Sequence, residues 1–113
     1  MIYKIPFKFG LSKAYQCGSY IRQDILQSND SIGHISYKID DKTLIIDMIR
    51  IDVVSLRNKG FAGKALADVI NKNKVIKITS SEDGFSSLGR EFIKNFTNAN
   101  GGYWDKNIGM LRA

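Results

Sequence analysis

Leu44-Ile45-Ile46-Asp47-Met48-Ile49-Arg50-Ile51-Asp52-Val53 has the composition of a long strand, and only Val54-Ser55-Leu56 separates it from Arg57-Asn58-Lys59-Gly60-Phe61-Ala62-Gly63. Simple alternation puts Ile45, Asp47, Ile49, Ile51 and Val53 on one face and Leu44, Ile46, Met48, Arg50 and Asp52 on the other. The strand then starts buried on both sides and becomes half-exposed towards its C-terminal end, which predicts a central position in a sheet. Asp47 is the one polar residue on its face.

After the turn, Ala62, Ala65, Leu66, Val69 and Ile70 recur at helical spacing, with Lys64, Asp68 and Lys72 opposite. The β-branched run Val75-Ile76-Lys77-Ile78-Thr79 follows through the short connection Asn71 to Lys74 and reads as a second strand. Strand, helix, strand predicts a parallel pair with a right-handed crossover.

Further out the patterns are antiparallel. Ile2 to Phe9 alternates as an opening strand, with Ile5, Phe7 and Phe9 on one side and Lys4 and Lys8 on the other. Leu11 to Tyr20 has the spacing of a short helical turn but is interrupted by Gly18, so its structure stays open. From Tyr20 an apolar stretch reaches Gln27, Ser28-Asn29-Asp30 supplies a turn, and Gly33 to Ile39 sets Ile35, Tyr37 and Ile39 on one face, which predicts a hairpin. A second turn, Asp40-Asp41-Lys42, leads into the central strand.

On the C-terminal side Leu88, Phe92, Ile93 and Phe96 predict a helix capped by Ser86 or Ser87 and ended by Asn98 to Gly102. Tyr103-Trp104 and Met110-Leu111 predict short closing strands. The fold expected is a one-domain α/β protein spanning residues 1 to 113, with a mixed sheet that is antiparallel first and parallel at the crossover.

Composition narrows the chemistry. With 113 residues and 43% hydrophobic content the chain can bury one modest core. No apolar run approaches the roughly 18 to 20 residues of a membrane-spanning helix, so no membrane is expected and a cytoplasmic location is. One cysteine, Cys17, and one histidine, His34, do not make a zinc site of the usual kind, and metal chemistry is not expected. A net charge of +6 favours an anionic partner. The basic residues are scattered rather than gathered into one run, which argues against a dedicated nucleic-acid surface.

The turn is where an anion would sit. The first turn of a helix leaves amide groups without partners, and the macrodipole adds about half a positive charge there. Gly60 permits close approach, while Arg57 and Lys59 add charge. The longer glycine-rich patterns of dinucleotide or P-loop sites are absent. A glycine that only makes a turn, with solvated basic neighbours, is the plain alternative.

With Arg57, Gly60 and Ala62 standing in Arg/Gln-x-x-Gly-x-Gly/Ala, the chain resembles the GNAT N-acetyltransferase superfamily over about residues 32 to 112. Ile32-Gly33-His34-Ile35-Ser36-Tyr37 looks like that family's strand before the central one, and Phe85 to Phe96 like its last helix. In length and in the run Ile45 to Gly60 the chain is also similar to the compact phage-encoded anti-CRISPR acetyltransferases.

The resemblance implies acetyl-coenzyme A as cofactor, lying in a gap between the central strand and its parallel neighbour with its pyrophosphate on Arg57 to Gly63. It implies an oxyanion hole from the backbone amides near Asp52 and Val53, and direct attack by an amine carried on a protein lysine, an N-terminus or a small molecule. No covalent enzyme intermediate is needed, so Cys17 is expected to be inert.

The proton-transfer groups come from the residues. Asp47, a carboxylate on an apolar strand face where desolvation disfavours the ionised form, is the candidate base, with hydrogen bonding to neighbouring backbone or a lysine as its structural alternative. Glu82 and Asp83 are a second candidate pair. Members of the family often have a tyrosine acid immediately after the phenylalanine that matches Phe92, and this chain has Ile93 there. Tyr103 is the nearest downstream tyrosine and the candidate acid, packing at a sheet edge being the other reading. Loss of the acid leaves a second functional class open, an acetyl-coenzyme A-binding or protein-interaction module without turnover. His34, opposite in alternation to Ile35 and Tyr37, is expected at the surface. A homodimer covering an exposed sheet edge is also compatible with so short a chain.

Overall fold

The computed structural model describes residues 9–82 and 84–111. Its elements in chain order are β1 (Phe9–Leu11), β2 (Tyr15–Cys17), β3 (Tyr20–Gln27), β4 (Asp30–Asp40), β5 (Thr43–Ile51), a 3-10 turn at Val54–Leu56, α1 (Phe61–Asn73), β6 (Lys77–Ser80), α2 (Ser87–Ala99), β7 (Tyr103–Asp105) and β8 (Ile108–Met110). One sheet runs in the order β1-β3-β4-β5-β6-β8-β7, with β2 also paired to β3. Only the β5–β6 pair is parallel; the other pairings among the described strands are antiparallel. This is the mixed α/β sheet that the sequence predicts, with the crossover helix where the apolar spacing puts it.

The opening strand falls on residues 2–8, outside the described residues, except for Phe9, the first residue of β1. The open segment Leu11 to Tyr20 contains no helix: it ends β1 and forms the short exposed β2. The hairpin, the second turn and both closing strands lie where they were expected. Left-handed residues at Ser28 and Asn29, Asp41 and Lys42, and Lys106 and Asn107 make three tight turns, each with an Asn or Asp at one of its two positions, and Gly18 serves a fourth between β2 and β3.

The central strand departs from simple alternation. Tyr37 pairs with Ile46 but Ser36 pairs with Met48, so Asp47 is an extra residue, a β-bulge. The bulge shifts the parity of everything after it. Leu44 and Ile46 point into the core, and so do Ile49 and Ile51, opposite Ile35 and Gly33. Asp47 leaves the face shared by Ile49 and Ile51 and is exposed, which corrects the reading of it as a carboxylate buried among apolar side chains. The strand also stops at Ile51, not Val53.

Ile35, Tyr37, Leu44, Ile46 and Ile78 join Leu66, Val69 and Ile70 of α1 and Ile93 and Phe96 of α2 in one buried cluster. Both helices therefore pack on the same face of the sheet. A smaller cluster, Ile25, Ile32, Ile51, Phe61 and Ala65, anchors the start of α1 under the end of β5. Tyr37 Oη donates to Gln23 Oε1 at 2.6 Å, which pairs the polar tip of a buried ring. Helix α1 ends at Lys74, left-handed, whose amide bonds Ile70 O, and the Ser86 hydroxyl caps α2 by accepting from the Gly89 amide. Among the described residues no helix is long and apolar enough to cross a membrane.

Candidate functional site at the parting of the parallel strands

The parallel ladder is short. Thr43 to Ile46 pair with Lys77 to Ser80, the Ser81 amide makes a last bond to Ile46 O at 2.9 Å, and β6 then ends while β5 runs on to Ile51. The bulge at Asp47 lies at this parting. Beyond it, β5 still pairs with β4 on one edge, as the Asp52 amide bonding Ile32 O at 2.7 Å confirms. Alternation along the ladder turns the amides and carbonyls of Ile49 and Ile51 to the opposite edge, into the gap. Arg57 Nε donates to Ile51 O at 2.8 Å from that side.

Two adjoining cavities fill the gap. The inner one, about 390 Å³, is floored by Ile46 to Ile49 and walled by Ser81, Phe85, Phe92 and Ile93. The outer one, about 450 Å³, is lined by Ile49 to Ile51, Arg57, Asn58, Ala62 and Leu88. Ile49, Ser86, Gly89 and Phe92 belong to both, so the two form one groove. An extended molecule with an anionic end fits this shape: apolar walls inside, a helix N-terminus with Arg57 outside.

The outer end is built by the turn that the sequence singles out. Asn58 and Gly60 have φ of 62° and 93°, conformations that fold the chain sharply into α1. Gly60 is the N-cap and brings no side-chain cap, so the helix start offers its own amides. Arg57, Asn58 and Ala62 line the cavity. Lys59 is exposed beside them, whereas Phe61 and Gly63 are buried. Phe61 acts as an anchor, 1% exposed in the smaller core cluster.

Asp52 and Val53 do not supply the expected oxyanion hole. Both amides donate to Ile32 O, at 2.7 and 3.4 Å, because hydrogen bonding to β4 continues past Ile51. The donors turned into the gap lie further back, on the free edge of β5 from the bulge to Ile51.

Asp47 lines the inner cavity and accepts a hydrogen bond from the Ser36 hydroxyl at 3.2 Å. Tyr103 is 55% exposed on β7, the outer strand beyond β6 and β8, and lines neither cavity. The structure does not bring it to Asp47. Glu82 is exposed in the loop after β6 and lines neither cavity; Asp83 lies outside the described residues. Ile93 is 2% exposed and forms part of the inner wall.

Sequence reading did not single out Ser81, Phe85 or Phe92 as groove residues, or Ser36 as the partner of Asp47. They come from three segments, β4, the loop after β6 and α2, and only the fold brings them together. His34 is half-buried, not a plain surface residue: its Nδ1 is enclosed without a partner among the described residues. Burial pushes its pKa below the ordinary value, helped by Arg22 and Arg50 and opposed by Asp52 and Asp24. Among the described residues no group of three or more His, Cys, Asp or Glu is placed to hold a metal ion.

No protein-family model matches the sequence, and no curated protein is significantly similar to it. A solved structure is: a GNAT family acetyltransferase from Elizabethkingia anophelis with acetyl-CoA bound matches at a TM-score of 0.54 and 18% identity, over 91% of this chain and 92% of that chain. At that identity the likeness speaks for architecture. The chain has a GNAT-type fold.

Proposed function

We propose that this protein is an N-acetyltransferase that takes acetyl from acetyl-coenzyme A and passes it to an amine. One observation carries the reading: an apolar groove opens where the parallel strands part and ends on the uncapped start of α1, in a fold shared with a protein that binds this cofactor. Arg57, Asn58 and the first amides of α1 would hold the pyrophosphate, with Lys59 adding charge and Gly60 leaving room. The apolar inner groove would take the less polar arm, whose amides meet the free edge of β5 as an added strand would.

Bound acetyl-coenzyme A supplies an activated acyl carbon. The chain's own part is to orient, polarise and move a proton. The free amides on the β5 edge beside the bulge are the donors placed for the carbonyl oxygen. Asp47, exposed at the same point and steadied by Ser36, would take the proton of the attacking ammonium. Tyr103 is too far round the sheet to share this site, so the reading does not use it. A cytoplasmic setting, where the cofactor is available, accompanies this reading.

An acetyl-coenzyme A-dependent thiol-release assay against a panel of small amines and basic proteins tests it. Asp47→Asn is expected to lower turnover about a hundredfold with cofactor affinity unchanged. Undiminished turnover in that variant would remove Asp47 from the mechanism. Absence of turnover in the wild type with cofactor binding intact would favour the second reading, a cofactor-binding module, to which the isoleucine at position 93 points.

A further inference from the structure

Acyl transfer must end with a sulfur leaving, and among the described residues no cationic side chain lines the inner cavity to receive it. Its walls are Phe85, Phe92 and Ile93, while Arg50 and Arg57 belong to the outer cavity. A thiolate formed against such walls is poorly solvated, so each hydrogen bond to it counts for more than in water. Side-chain hydroxyls on the inner wall come from Ser81 and Ser86. Ser86 keeps its O–H, but its oxygen is tied to the start of α2 by the bond it accepts from the Gly89 amide at 3.0 Å, and it borders both cavities.

Ser81 stands differently. It is the first residue past β6, its amide is tied to Ile46 O at 2.9 Å, and it therefore sits across the parting of the strands from Asp47. No hydrogen bond engages its hydroxyl among the described residues. The backbone tie fixes its Cα, leaving only the χ1 rotor to choose a partner.

We propose that the Ser81 hydroxyl donates a hydrogen bond to the leaving thiolate, a catalytic role that rests on the acetyltransferase reading. In the step, the C–N bond forms as the C–S bond breaks. Asp47 passes the ammonium's first proton to solvent and takes the second as the amide forms, and the electron pair of the C–S bond stays on sulfur, held by Ser81 until solvent entering the open groove protonates it. A serine is too weak an acid to give up its proton outright. It stabilises the charge instead, and this makes a tyrosine at position 93 dispensable.

The test follows the thiol of bound coenzyme A, without any acceptor. Ultraviolet absorbance of the thiolate, titrated against pH, is compared for wild type, Ser81→Ala and Ser81→Thr, with calorimetry measuring affinity in parallel. The expected result is an apparent pKa in Ser81→Ala about one unit above that of the wild type, with the wild-type value restored in Ser81→Thr and affinity below that pKa unchanged. Turnover, where an acceptor supports it, should fall about tenfold or more in Ser81→Ala. Identical titrations in wild type and Ser81→Ala, with coenzyme A bound, would overturn the role of Ser81 and leave the cofactor reading standing. Failure of the wild type to bind coenzyme A would overturn both.

Discussion

Asp47 and His34 show how much a single residue's chemistry depends on backbone that its neighbours decide. Asp47 is legible as the odd polar residue of a central strand, but its surroundings are not, because one inserted residue moves it from an apolar face to an exposed bulge beside Ser36. A hint is present in the sequence: the polar positions switch from odd to even, Asp47 and then Arg50 and Asp52. His34 lies on the polar face of β4, opposite Asp24 on one side and Arg50 on the other, with Arg22 and Asp52 also acting on it. Its folded pKa is lowered, so folding favours the neutral ring. That contribution is complete above the unfolded value near 6.5 and is lost as pH falls through the lower folded value. The thermal midpoint of the wild type should therefore drop more steeply between about pH 7 and 5 than that of His34→Gln. Parallel slopes in the two proteins would contradict the assignment.

At the scale of elements, apolar periodicity was enough to place β5, α1, β6 and α2 along the chain, with Gly60 and Ser86 marking the starts of the two helices. What was not legible is pairing. The resemblance implies oxyanion donors near Asp52 and Val53, and only the ladder with β4 shows those amides bonded to Ile32 O. Gly33 is part of the same ladder: it faces Ile51, and a Cβ built on it would overlap the Arg50 carbonyl and come within 2.9 Å of the Ile51 Cα. Since backbone, not a side-chain tip, is in the way, the two strands would have to move apart. Gly33→Ala is expected to cost about 3 kcal/mol or more by denaturant titration. A loss under about 0.5 kcal/mol would mean that the β4–β5 ladder is looser there than described.

For the whole molecule, the arrangement has one consequence that no single element carries. Both helices lie on one face of the sheet, their N-terminal ends border the same groove, and the parallel strands part just where β5 bulges, so the binding groove is a product of topology. Its outer end can be tested without disturbing the fold. A glutamate at Ala62 falls in the first turn of α1, where a negative charge suits the helix dipole, yet it occupies the outer cavity and repels a pyrophosphate. Calorimetric titration with acetyl-coenzyme A, run on wild type and Ala62→Glu together with their thermal midpoints, is the most direct measurement. Saturable binding by the wild type, weakened at least tenfold in Ala62→Glu with the midpoint unchanged or raised, is the expected result. No heat of binding by the wild type at about 1 mM ligand, or equal affinity in the two proteins, would contradict the cofactor site.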